Sequence, residues 1–97
     1  MGEVIMAAEG VRLELYSSSF CAACRRTRAV LGRVEGMLPE IGLVEHDVAD
    51  APDLAERNGI TATPTVIVRA PGGGEVFRAA GVPSVQQVLR AVALASE

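Results

Sequence analysis

A chain of 97 residues with a formal net charge of −3 is long enough to bury one core and too short to divide into two. Although 49% of the residues are apolar, no apolar run approaches the roughly 20 residues of a membrane helix, so no membrane partner is expected. All 9 basic residues are Arg and form no patch of nucleic-acid footprint size, so nucleic acid is not expected as a partner and lysine covalent chemistry is excluded.

A single domain over 1–97 is expected, with 1–10 as an N-terminal extension or irregular lead-in. Met1 to Gly10 has neither a basic leader nor a sustained apolar centre, and Glu3 and Glu9 interrupt it, so the expected compartment is the cytoplasm. Val11 to Tyr16 alternates apolar and polar residues, which predicts a strand that ends at Ser17-Ser18-Ser19. A helix should follow, because Cys24, Thr27, Leu31, Val34 and Leu38 recur at spacings of three and four; Gly36 or Pro39 would end it.

Ile41 to Val48 reads as a second strand. Asp50 is then the expected cap of a short helix from Asp53 to Arg57, stopped by Asn58-Gly59. Thr65 to Val68 is a β-branched strand begun by Pro64, and the Pro71 to Gly74 turn joins it to Glu75 to Ala79 as an antiparallel hairpin. Ser84 caps a last helix with Val85, Val88, Leu89 and Val92 on one face. The order β-α-β-α-β-β-α combines a parallel crossover with a hairpin, so an α/β fold is expected, with a mixed four-stranded sheet and helices on both faces.

Cys21-Ala22-Ala23-Cys24 holds the 2 cysteines of the chain, at the junction of the first strand and first helix. Two thiols three residues apart at a helix start are close enough to form a reversible disulfide, and a cytosolic setting favours redox chemistry over a structural staple. Unpaired amides and aligned peptide dipoles at a helix N-terminus favour a thiolate at Cys21, and Arg25, Arg26 and Arg28 are expected to add to that. A thiol pKa lowered from about 8.5 to about 7 raises the thiolate roughly sixteenfold at pH 7 but lowers its nucleophilicity about fivefold, a net gain of about threefold. Exposure assigns Cys21 as the attacking nucleophile and Cys24, one turn inward on the apolar stripe, as the resolving thiol.

The competing readings are a half zinc site and two inert core thiols. Zinc wants about four ligands, and His46 is the 1 histidine available, so no metal is expected; a site pooled between two chains stays open. His46 is read as a strand-end residue without chemistry, and Asp47, Asp50, Asp53 and Glu56 as a solvated acidic face.

The segments Tyr16 to Cys24, Gly59-Ile60-Thr61-Ala62-Thr63-Pro64-Thr65 about forty residues on, and Gly81 before the last helix together resemble the thioredoxin superfamily, over about Val11 to Leu94. The resemblance implies a thioredoxin-like fold in which Pro64 is a cis-proline facing the disulfide. It also implies that the Thr63 backbone and Phe20 bind substrate, Phe20 standing where thioredoxins usually carry tryptophan. Ala22-Ala23 replaces the usual Gly-Pro, and the family's buried aspartate and its lysine partner fall on Leu15 and Glu45. Glu45 is therefore a candidate proton acceptor for Cys24.

The expected function is thiol–disulfide exchange with protein disulfides, without a cofactor, by a monomer that a disulfide reductase or small-thiol donor restores. Two alternatives are a glutaredoxin- or mycoredoxin-like reduction of low-molecular-weight-thiol mixed disulfides and a redox-switched binding domain that is not an enzyme. The Tyr16-Ser17-Ser18 run also resembles glutaredoxins and mycothiol-linked redoxins, but their usual Gly-Gly near the last helix is replaced by Ala80-Gly81.

Overall fold

A computed structural model describes residues 8–97. Four strands and three helices follow one another as β1 (Arg12–Ser17), α1 (Ala22–Met37), β2 (Gly42–Asp47), α2 (Pro52–Arg57), β3 (Thr65–Arg69), β4 (Glu75–Ala80) and α3 (Val85–Ala95). They form the expected β-α-β-α-β-β-α order. The sheet runs β2-β1-β3-β4, with β1 parallel to β2 and antiparallel to β3, and β3 antiparallel to β4. It is thus the mixed sheet that one crossover and one hairpin require.

Alternation along the strands sorts side chains between the two faces. Leu13 and Leu15 of β1 and Val66 and Val68 of β3 turn to one face, where Leu31 and Val34 of α1 and Val88 and Val92 of α3 complete the core. The alternate residues Glu14, Tyr16 and Ile67 belong to the second face, yet they are buried as well. The polar position Glu14 within β1 therefore does not mean solvent, although Arg12 at the strand's start is exposed. β1 lies between two strands, and on its second face Glu14 and Tyr16 line a cleft together with Arg12, Arg69, Leu54 of α2 and Asn58 at its C-cap.

The ion pairs on that second face explain how a carboxylate is buried there. Glu14 Oε2 accepts from Arg12 Nε at 2.8 Å and lies 2.9 Å from Arg69 Nε, while Arg69 Nη2 donates to Asn58 Oδ1 at 2.7 Å. Burial pushes the Glu14 carboxyl up, but the hydrogen bonds and charges of Arg12 and Arg69 outweigh it and hold the group below the usual range. Tyr16 and His46 meet here too, with ring centroids 5.3 Å apart, so His46 stands on the face away from the first core.

One local expectation shifts. α2 begins at Pro52 with Ala51 at its N-cap and no side-chain cap, because Asp50 precedes the cap position and its N–H closes a turn onto the Asp47 carbonyl. In the lead-in, residues 8–10 form a turn from which Ala8 joins the core cluster, and residues 1–7 lie outside the described residues. Gly10, at φ +87, sits so near the hairpin turn that a Cβ there would meet Pro71 Cβ at 3.0 Å. By contrast Ser84 caps α3 as expected and adds a full capping box with Gln87.

Candidate functional site

β1 ends at Ser17, and the chain reverses through Ser18, Ser19 and Phe20 before α1 begins. Phe20 holds φ 56, a left-handed conformation that β-carbon contacts disfavour, and its side chain stands fully out of the protein at 103% relative exposure. Cys21 is the N-cap of α1 in an extended conformation. Its sulfur accepts the Cys24 N–H at 3.0 Å, so it occupies the place where a helix leaves amides unpaired.

Cys21 and Cys24 are joined in a disulfide, with Cα atoms 5.2 Å apart. Cys21 is half-buried, whereas Cys24 is 1% exposed and turned into the protein. The two sulfurs therefore differ in access, as the apolar stripe of α1 requires. Thr27, one turn further in, is also buried and returns its hydroxyl to the Ala23 carbonyl at 2.9 Å.

The second segment of the site comes from the loop before β3. The Thr63–Pro64 peptide bond is cis, Pro64 is buried and Thr63 is half-buried. The Ser18 and Thr63 hydroxyls lie 2.7 Å apart in a hydrogen bond that ties the cysteine loop to the proline loop. The Pro64 carbonyl accepts the Gly81 N–H at 2.9 Å, which adds the turn before α3. Among the described residues, neither the N–H nor the C=O of Thr63 is used by a turn or cap. Ser18 carries no motif by which its role could be read from the sequence; the 45 residues that separate it from Thr63 make their contact visible only in the fold.

Glu45, the candidate proton acceptor, is held by other partners. Arg28 donates to it twice, Nε to Oε1 at 2.7 Å and Nη2 to Oε2 at 2.6 Å, and Ser17 Oγ donates to Oε2 at 2.7 Å. The Arg28 hydrogen bonds pull the Glu45 carboxyl below the usual range; burial opposes them, while the Ser17 hydrogen bond and the Arg28 charge reinforce them. A carboxylate so bound is a weaker base than a free one. The same fork answers the expectation that Arg28 would favour a thiolate at Cys21: its charge is spent on Glu45, which leaves Arg25 as the cation that shares a cleft with Cys21 free of a salt bridge among the described residues.

That cleft, about 510 Å³, runs from Cys21 past the three serines to Glu45, Asp47 and Asp50. Of the acidic residues read as a solvated face, Asp50, Asp53 and Glu56 are exposed, while Asp47 is half-buried and accepts the Ala49 N–H at 2.8 Å. Among the described residues no group of three His, Cys, Asp or Glu side chains converges so as to hold a metal ion. Among the described residues no helix is long and apolar enough to cross a membrane.

No family model matches the chain. A curated thioredoxin of Methanocaldococcus jannaschii is 29% identical over 83 residues, which is 84% of this chain and 92% of that protein. Among solved structures, a mutant thioredoxin from Halobacterium salinarum superposes with a TM-score of 0.81 at 19% identity, over 94% of this chain and 79% of that one. Oxidised mitochondrial thioredoxin 3 from Saccharomyces cerevisiae gives 0.75 at 18% identity, over 90% and 80%.

The fold is therefore thioredoxin-like, and the class is that of thiol–disulfide oxidoreductases with a CxxC redox centre. Within that class the chain resembles thioredoxins both in sequence and in structure, and Cys21–Cys24 is its redox pair.

Proposed function

We propose that the chain exchanges its Cys21–Cys24 dithiol and disulfide with protein disulfides. The observation that carries this reading is the asymmetry of the pair: one sulfur sits at the mouth of a helix N-terminus, and the other is sealed behind it. In the reduced protein the Cys21 thiolate attacks one substrate sulfur and expels the other as a thiolate that takes a proton from water. Cys24 then loses its proton, attacks Cys21 Sγ and releases the second substrate thiol. The Cys21–Cys24 bond forms as the substrate gains two electrons.

The helix amide on Cys21 Sγ stabilises negative charge at that atom, and Arg25 adds a nearby cation. An extended substrate segment fits beside the unused Thr63 main chain, with Phe20 offering an apolar contact above it. A protein or small-molecule reductant then restores the dithiol, and a reducing compartment such as the cytoplasm suits that direction.

Cys21→Ser is expected to abolish reduction of a disulfide-bonded protein, and Cys24→Ser to accumulate a mixed disulfide visible on a non-reducing gel. Equal activity of both variants and the wild type would reject these roles.

A further inference from the structure

The cleft that opens from Cys21 differs from the Thr63 side of the site in the chemistry of its walls. Three consecutive serines leave it empty, since none of them projects more than a hydroxymethyl group. Two of the hydroxyls are already committed, Ser17 to Glu45 and Ser18 to Thr63. Phe20 is the one large apolar side chain on the lining, and it stands at the rim. An apolar segment would bury almost nothing there.

The charges decide what fits. Arg28 and Glu45 cancel each other through their fork of hydrogen bonds. That leaves Arg25, on the first turn of α1 beside Cys21, and the carboxylates of Asp47 and Asp50 at the end of β2 and in the turn that follows. A ligand bearing only negative charge meets two carboxylates, and one bearing only positive charge meets a guanidinium and the amide end of a helix. A ligand with both signs a few bonds apart meets a complement at each end. The volume of about 510 Å³ lies in the range of small-molecule sites, about 300–1,000 Å³.

We infer that this cleft seats a small zwitterionic disulfide, each half of which carries a carboxylate and an ammonium group, as a second substrate for Cys21. The carboxylate faces Arg25 and the amides of α1, the ammonium faces Asp47 and Asp50, and the sulfur is delivered to Cys21. The inference rests on the exchange chemistry proposed above and follows its balance: Cys21 captures one half as a mixed disulfide, the other half leaves as a thiolate, and Cys24 releases the captured half as a thiol. The pre-reduced protein supplies both electrons.

Single-turnover reduction of four disulfides by pre-reduced protein, quenched by thiol alkylation, tests it. The probes are cystine, cystine dimethyl ester with ammonium groups alone, N,N′-diacetylcystine with carboxylates alone, and neutral bis(2-hydroxyethyl) disulfide. Each rate is divided by that of the same disulfide with dithiothreitol, which removes intrinsic differences in sulfur reactivity. An exposed ion pair is worth up to about fivefold, so cystine is expected to exceed each singly charged probe by about two- to fivefold and the neutral one by more.

Arg25→Gln is expected to bring the cystine-to-ester ratio towards one, and Asp50→Asn to do the same for the cystine-to-diacetylcystine ratio. Ratios within one variant are insensitive to any change in Cys21 reactivity, and circular dichroism confirms that each variant is folded. Normalised rates equal within twofold across the four probes, or ratios that neither variant moves, overturn the cleft assignment while leaving the exchange reaction intact. Failure to reduce even the neutral disulfide overturns the exchange reading itself.

Discussion

Replacing Glu14 by Gln isolates the charge buried under the second face of the sheet. The side chain is 7% exposed, and one of its oxygens is shared by two guanidiniums at 2.7 and 2.9 Å. A hydrogen bond to a charged group contributes about 1.5–3 kcal/mol. Arg12, at 47% exposure, returns part of its share to water, whereas Arg69, at 15%, does not. The amide oxygen of Gln still accepts one bond, so the expected loss is about 2 kcal/mol, or roughly 10 °C in Tm for a domain of this size.

The folded carboxyl is held below its ordinary value of 4.5, so its contribution is complete above that pH and is lost as the pH falls through the lower folded value. Urea melts of the oxidised wild type and Glu14→Gln should therefore differ at pH 7 and converge in acid. A difference under about 0.5 kcal/mol at pH 7, or one that persists unchanged at about pH 2, would refute the reasoning, because a purely steric defect does not titrate.

Further tests address packing, capping and strain. Leu31, fully buried between α1 and the sheet, should cost about 2–5 kcal/mol as Leu31→Ala in the same urea assay, and a loss below about 1 kcal/mol would contradict its place in the core. Ser84→Ala removes one half of the α3 capping box and should cost about 1 kcal/mol, read as a fall in Tm. Phe20→Asn relieves a left-handed φ without exposing anything new, so Tm should rise, by up to about 1 kcal/mol of stability, while reduction of a protein disulfide slows. An unchanged Tm would show that the loop carries no strain.

Much of the site was legible because its key parts are local. The spacing of Cys21 and Cys24, the serine run before them and the apolar stripe of α1 all lie within one turn-and-helix segment, and the structure places them together. The proline loop was legible only through resemblance; nothing in Thr63-Pro64 by itself distinguishes a cis bond from an ordinary strand start. Asp50 was read as a cap from its type, but one residue of offset at the Asp47 turn put Ala51 in that place.

What the order of residues determined on its own was the set of elements, the mixed sheet and the identity of the reactive pair, since each rests on periodicity or on spacing along a few bonds. What only the tertiary structure decided was the fate of the charges. Glu14 is buried because two arginines converge on it, one of them from β3, and the charge of Arg28 is paired because Glu45, from β2, meets it in a fork of hydrogen bonds. Electrostatic energy depends on distance through space, and residues far apart in the chain, such as Glu14 and Arg69 or Arg28 and Glu45, acquire a short distance only when the sheet has formed.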